Sequence, residues 1–195
     1  MRNQAKVVES LQNEITREHA YRRKFQNEIE QNHRRNNIRI FGVNDNNKRE
    51  SARETANIVV DMLKSSNVID ISLYDIEYAY RLPNRKRAKR DIIVRFVSGY
   101  TKEEIMKTRR NLKGSGVFIN EDLTPLNLEV LMSVKKKMPD EVRDAWASNG
   151  RIMMKNAYGR VSEISFDDYE HWLELPWPNT TKDTNTTKPV DTDVD

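Results

Sequence analysis

The chain has 195 residues, a net charge of +4 and a pI near 9.2, with 36% hydrophobic and 33% charged residues. It contains no cysteine, which excludes disulfide staples and thiolate metal sites. No apolar run approaches the roughly 18 residues that a membrane span needs, and the opening residues lack the apolar centre of a signal peptide. The expectation is a soluble intracellular protein with one modest core or two small ones, some solvated helix, and a disordered tail.

Residues 1–35 read as one helix. Val8, Leu11, Ile15, Phe25 and Ile29 fall on alternating three- and four-residue steps, the spacing of a coiled-coil seam. Glu18 and Arg22 occupy the middle seam positions and weaken the stripe. The rest is Glu, Arg, Gln and Asn, so the helix buries little alone and calls for a partner. Self-association through the five apolar residues is expected, and two or three strands both fit so short a seam.

Ile38, Ile40 and Phe41 form a short strand, ended by Gly42, which tolerates positive φ. An amphipathic helix follows over 50–66, with Ala52, Ala56, Val59, Val60 and Leu63 on one face. Residues 76–82 alternate as a strand up to Pro83. Residues 84–90 are a basic loop carrying Arg85, Lys86, Arg87, Lys89 and Arg90. Residues 91–97 are the clearest strand. Thr101 with Glu104 three residues on reads as a capping box opening a second helix, whose apolar side is Ile105, Met106 and Leu112 and which stops at Gly114. A strand over 117–120 completes the order β-α-β-β-α-β, the split βαβ or ferredoxin-like arrangement.

Thr124-Pro125 supplies the N-cap and first position of another helix, with Leu128, Leu131, Met132 and Val134 turned inward. Residues 152–154 and 161–164 suggest two strands around a turn at 156–159, and 166–175 a short terminal helix. Trp146 and Trp172 read as core anchors of this unit. The fold class is therefore α+β, divided into a helix over 1–35, a βαββαβ domain over 36–121, a small α/β domain over 122–175 and a tail over 176–195.

The sequence offers little to an enzyme. His19, His33 and His171 lie far apart, so no histidine metal or acid–base cluster is expected. Glu121-Asp122 and Asp167-Asp168 each precede a helix, where acids compensate the helix dipole. Lys113-Gly114-Ser115-Gly116 follows a helix instead of opening one and is not a phosphate loop. No catalytic residue, cofactor, metal, membrane or small-molecule substrate is expected.

The basic residues are more informative. Period-two alternation puts Ile38, Ile40, Val94 and Phe96 on a helix-covered face and leaves Arg39, Ile93 and Arg95 on the open face, with Asp91 at its margin. The basic loop adjoins one edge of that face, and Lys107, Arg109, Arg110 and Lys113 add charge on the second helix. Nearby acids are few, only Glu77 and Asp91 flanking the loop. Arginines so placed suit phosphates or stacked bases, which points to single-stranded RNA or DNA as partner. Residues 86–90 also fit a nuclear-localisation pattern, so the nucleus joins the cytoplasm as an expected compartment.

Taken together, residues 34–43 (RRNNIRIFGV), 76–83 (IEYAYRLP), 92–96 (IIVRF) and 117–124 (VFINEDLT) resemble the first-open-reading-frame RNA-binding proteins of LINE-type retrotransposons. Residues 145–155 (AWASNGRIMMK) are similar to the related baculovirus few-polyhedra (FP) protein domain. The resemblance spans about residues 1–175. It implies a coiled coil, an RRM domain and a small C-terminal domain that together bind single-stranded nucleic acid and act as a chaperone in trimers. The candidate nucleic-acid residues are Arg34, Arg35, Arg39, Arg81, Arg85, Lys86, Arg87, Lys89, Arg90, Arg95, Arg109, Arg110, Lys113, Arg151 and Lys155. Typical RRMs carry stacking aromatics on the first and third strands. Arg39 and Ile93 stand there in this chain, so backbone contact and low sequence specificity are expected. The FP resemblance implies instead a viral structural or assembly role through protein partners.

Overall fold

The computed structural model describes residues 2–47, 49–83 and 89–178. A long helix α1 (Arg2–His33) leads into strand β1 (Asn37–Phe41), and helix α2 (Ala52–Ser65) follows. Strands β2 (Ile76–Arg81) and β3 (Ile92–Phe96) precede helix α3 (Gly99–Thr108), a tight turn over Arg109–Leu112 and strand β4 (Phe118–Glu121). Helix α4 (Pro125–Lys137), strands β5 (Val142–Ser148), β6 (Arg151–Asn156) and β7 (Val161–Glu163), and helix α5 (Tyr169–Glu174) follow. The molecule is mixed α+β, as the sequence indicates. The basic-loop residues Arg85, Lys86 and Arg87, and residues 179–195 of the expected tail, lie outside the described residues.

β1–β4 form an antiparallel sheet in the order β2-β3-β1-β4. Ile38 and Ile40 of β1 and Ile92, Val94 and Phe96 of β3 are fully buried, packed with Val59 and Leu63 of α2 and Ile105 of α3. Each side chain so buried contributes about 1.5–3 kcal/mol relative to exposure. The alternation thus reads the covered face correctly. At the end of β1, Gly42 has φ +85, and a Cβ there would stand 2.0 Å from the Gly116 carbonyl oxygen. Both the positive φ and the close approach of the β4 loop require glycine.

Helix starts follow side-chain capping. Ser51 and Glu54 make a reciprocal capping box at α2, at 3.2 and 2.7 Å. Those bonds hold the Glu54 carboxylate below its ordinary pKa. At α3 the expected box from Thr101 is not used; Ser98 is the N-cap, accepting from the Tyr100 amide, and the helix starts three residues earlier, at Gly99. At α4 Thr124 caps as expected, its Oγ1 accepting from the Asn127 amide at 3.1 Å.

A second apolar cluster, built from α4, α5 and the sheet β5-β6-β7, includes Val130, Val134, Ala145, Ile152 and Trp172. Two inward assignments change here. Leu128 is exposed, and Val130 takes its place because the buried face of α4 runs through Asn127, Val130, Leu131 and Val134. The unit also has a third strand, β5, which pairs with β6 across the Asn149-Gly150 turn. Trp146 sits on β5 opposite Met153, while Ala145 and Ala147 on the alternate face join the core. Trp146 is half-buried on the outer face and is no core anchor.

The last turns of α1 lock the two cores together. Asn27 donates to Asn127 at 2.9 Å and accepts from Thr124 Oγ1 at 2.7 Å. Gln31 donates to the Asp122 carbonyl at 3.1 Å and accepts from the Thr124 amide at 2.9 Å. Gly150 is needed beneath it, since a Cβ would come within 2.6 Å of Gln31 Cγ. From the other side, buried Lys102 of α3 donates to Glu121 at 2.9 Å, and Glu121 accepts from the amides of Asn149 and Gly150 at 2.8 and 2.7 Å. Glu121 is therefore a junction residue. Its expected role at the start of α4 is not what the structure shows.

Candidate nucleic-acid interface

The ladder registers define the uncovered face of the first sheet. Arg39 lies opposite Ile93 and Asn120, Arg95 opposite Asn37 and Tyr78, and Ile93 opposite Tyr80, while Phe41 faces Phe118. Tyr78, Tyr80, Phe41 and Phe118 therefore share this face with Arg39 and Arg95. Tyr80 is 43% and Phe118 64% exposed, and the Tyr78 and Tyr80 rings stand 5.6 Å apart. Ile93 is on the expected face but only 6% exposed, lying in register between Arg39 and Tyr80.

The sequence reading missed Tyr78, Tyr80 and Phe118 because it followed the two central strands, and it passed over Phe41 at the end of β1. The signal was available. Stepping by one from buried Ala79 or Ile119 lands on the opposite face at Tyr78, Tyr80 and Phe118. Aromatic stacking is moved to the flanks of the sheet and is not missing from it.

The arginines carry more partners than the sequence suggested. Asp122 is 1% exposed, and its Oδ1 accepts from Arg39 Nε at 2.8 Å. Arg34 reaches both Asp122 oxygens at 3.2 Å and Glu30 at 2.8 Å, and Asn37 donates to Asp122 at 3.1 Å. Asp122 is thus the hub of the α1–β1–β4 corner, which corrects its expected role in dipole compensation. Arg95 donates to Glu77 at 2.8 Å and to the His33 carbonyl at 2.5 Å. Hydrogen bonding to Glu77 raises the Arg95 guanidinium above its ordinary pKa against partial desolvation.

Around the basic loop the acids come from farther along the chain than its flanks. Asp45 receives Arg90 through two side-chain bonds of 2.9 Å, and this raises the Arg90 pKa. Arg81 leaves the interface altogether: it points to the helix side, its side chain 2% exposed, and bonds Glu50 and the carbonyls of Val43, Asn44 and Arg90. It anchors the 43–50 loop. Lys89 is exposed and donates to the Gly42 carbonyl at 3.0 Å, and Arg35 is exposed at the exit of α1.

Two other groups of cations stand apart. Arg109, Arg110 and Lys113 line a groove of about 480 Å³ along the outer edge of β4, together with Leu112, Val117, Phe118, Ile119 and Asn120. Arg151 and Lys155 lie on the outer face of the second sheet with Trp146 and Met153, and Arg151 pairs with Glu163 at 3.1 Å. On α1, Val8, Leu11, Ile15, Phe25 and Ile29 are 44–56% exposed, and Glu18 and Arg22 pair with each other at 2.8 Å within the stripe.

No family model matches the chain, and no curated protein matches it.

Proposed function

We infer that this chain is a non-enzymatic, single-stranded nucleic-acid-binding protein of low sequence specificity, built on an RRM-like domain. It would form ribonucleoprotein as the chaperone of a LINE-like element, self-associating through α1. The observation that carries the reading is the mixed face of the first sheet. Exposed Tyr80 and Phe118 flank Arg39 and Arg95, so bases can stack at the sides while phosphates reach the middle. The strand order β2-β3-β1-β4 with both helices on one side supports the RRM-like assignment. Arg39 and Arg95 are each about one-third exposed beside their acids, so a phosphate can share or replace those contacts.

The test is the affinity for a labelled single-stranded RNA with Tyr80→Ala and Arg95→Ala alongside. Weakening by either substitution supports the reading; equal, weak binding by all three proteins removes it.

A second reading, an FP-like assembly protein acting through protein partners, is favoured by the exposed stripe on α1. Substituting Leu11 and Ile15 by Asp should then abolish partner capture and leave RNA affinity intact.

A further inference from the structure

We propose that the groove at the free edge of β4 is a nucleotide subsite. It holds a base against Phe118 and the adjoining phosphate on Arg110 and Lys113. The inference rests on the single-stranded nucleic-acid reading and adds where the strand leaves the sheet.

Charge is the first argument. The groove is lined by three cations and no carboxylate. On the sheet face and around the basic loop, Arg34, Arg39, Arg81, Arg90 and Arg95 each bond a carboxylate. Arg110 and Lys113 are exposed and have no carboxylate partner among the described residues. Cations gathered around a concavity without acids attract an anion, and a phosphodiester is the one that this reading supplies.

The second argument is shape. Phe118 keeps 64% of its surface exposed on one wall of the groove, and Asn120, two residues on, presents an amide that can both donate and accept. An exposed ring next to unpaired cations is the pairing that stacks a base and holds its phosphate. Asn120 is also the cross-strand neighbour of Arg39, so a strand crossing the sheet centre meets Asn120 before it passes over the edge.

The edge itself argues against an added peptide strand. The Phe96 amide bonds the Asn36 carbonyl, so by alternation Arg39 and Phe41 turn their backbone groups toward β4. Ile119 of β4 then directs its carbonyl outward, and Arg109 occupies that carbonyl at 2.8 Å. A docking strand would have to compete for it.

The experiment uses the full chain, a fluorescein-labelled ten-nucleotide oligouridylate and a poly-glutamate of equal charge. Arg110→Glu with Lys113→Glu should weaken RNA binding at least about tenfold at low salt, with the salt slope falling by about two. Phe118→Ala should weaken it about tenfold. The control Lys135→Glu with Lys136→Glu makes the same charge change at exposed positions of α4 and should alter affinity less than about threefold. RNA binding that survives both groove variants overturns the subsite while the general reading stands. Absence of RNA binding by the unaltered protein overturns both. Poly-glutamate bound as tightly as RNA, with Phe118→Ala indifferent, identifies a peptide or general anion groove and also overturns the subsite.

Discussion

Arg39 Nε donates to Asp122 Oδ1 at 2.8 Å, and that carboxylate, 1% exposed, also receives Arg34 and Asn37. One residue of the β4–α4 connection therefore ties the exit of α1 to the first strand of the sheet. Asp122→Ala takes their shared acceptor from Arg39, Arg34 and the Asn37 amide, leaving Arg34 its bond to Glu30, at a cost of about 3 kcal/mol. Urea denaturation should show the midpoint falling, with Asp122→Asn intermediate. An unchanged midpoint for both would show that the corner is ornamental.

Gly42→Ala should destabilise the chain by at least about 1–2 kcal/mol from the positive φ alone. The 2.0 Å approach to the Gly116 carbonyl adds to that. Gly114→Ala is the useful comparison, because its φ of +89 is similar but nothing lies within 4 Å of its Cβ. Thermal unfolding should rank Gly42→Ala below Gly114→Ala.

Tyr169 is buried, donates to Asn127 Oδ1 at 3.1 Å, and burial pushes its pKa from 10.0 to about 12. The sign follows from linkage. Between pH 10 and 12 the unfolded phenol releases its proton while the folded one keeps it, so the unfolded state binds fewer protons and stability falls as pH rises. The contribution is complete below pH 10 and lost through about pH 12. Denaturation midpoints across this range should fall more steeply for the unaltered protein than for Tyr169→Phe. Parallel curves would contradict the assignment.

The stripe on α1 has no cover among the described residues, where Leu11, Ile15 and Phe25 are each more than half exposed. Sedimentation should give a species larger than a monomer, reduced to a monomer by Leu11→Asp with Ile15→Asp. Gln31 and Asn27 lie C-terminal to those changes and hold α1 to the fold independently.

Local chemistry made much of this readable in the sequence. Ile38, Ile40, Val94 and Phe96 announced the covered face because a strand alternates with period two. Thr124-Pro125 announced α4 because a cap and a pre-set φ are local devices. What depended on tertiary partners was not readable. Ser98 overrode Thr101 at α3 by a one-turn shift, and Val130 replaced Leu128 because the packing face is set by what α4 meets. Nor did the sequence disclose that Asp122 would sit beneath Arg34 and Arg39, some 80 to 90 residues away. Arg81 looked like its basic neighbours, yet strand parity turned it toward Glu50 on the covered side. The same parity holds on the edge strands, where it assigns Tyr80 and Phe118 to the open face.

Binding of single-stranded nucleic acid on the uncovered face of the first sheet would draw on both charge and stacking. The most direct measurement is the RNA dissociation constant across a salt series for the unaltered chain, Arg95→Ala and Tyr80→Ala. Binding by charge and stacking together predicts a steep salt dependence and a slope smaller by about one for Arg95→Ala. It also predicts a roughly parallel line displaced to weaker affinity for Tyr80→Ala, by about 1–3 kcal/mol. Three superimposed lines would contradict it.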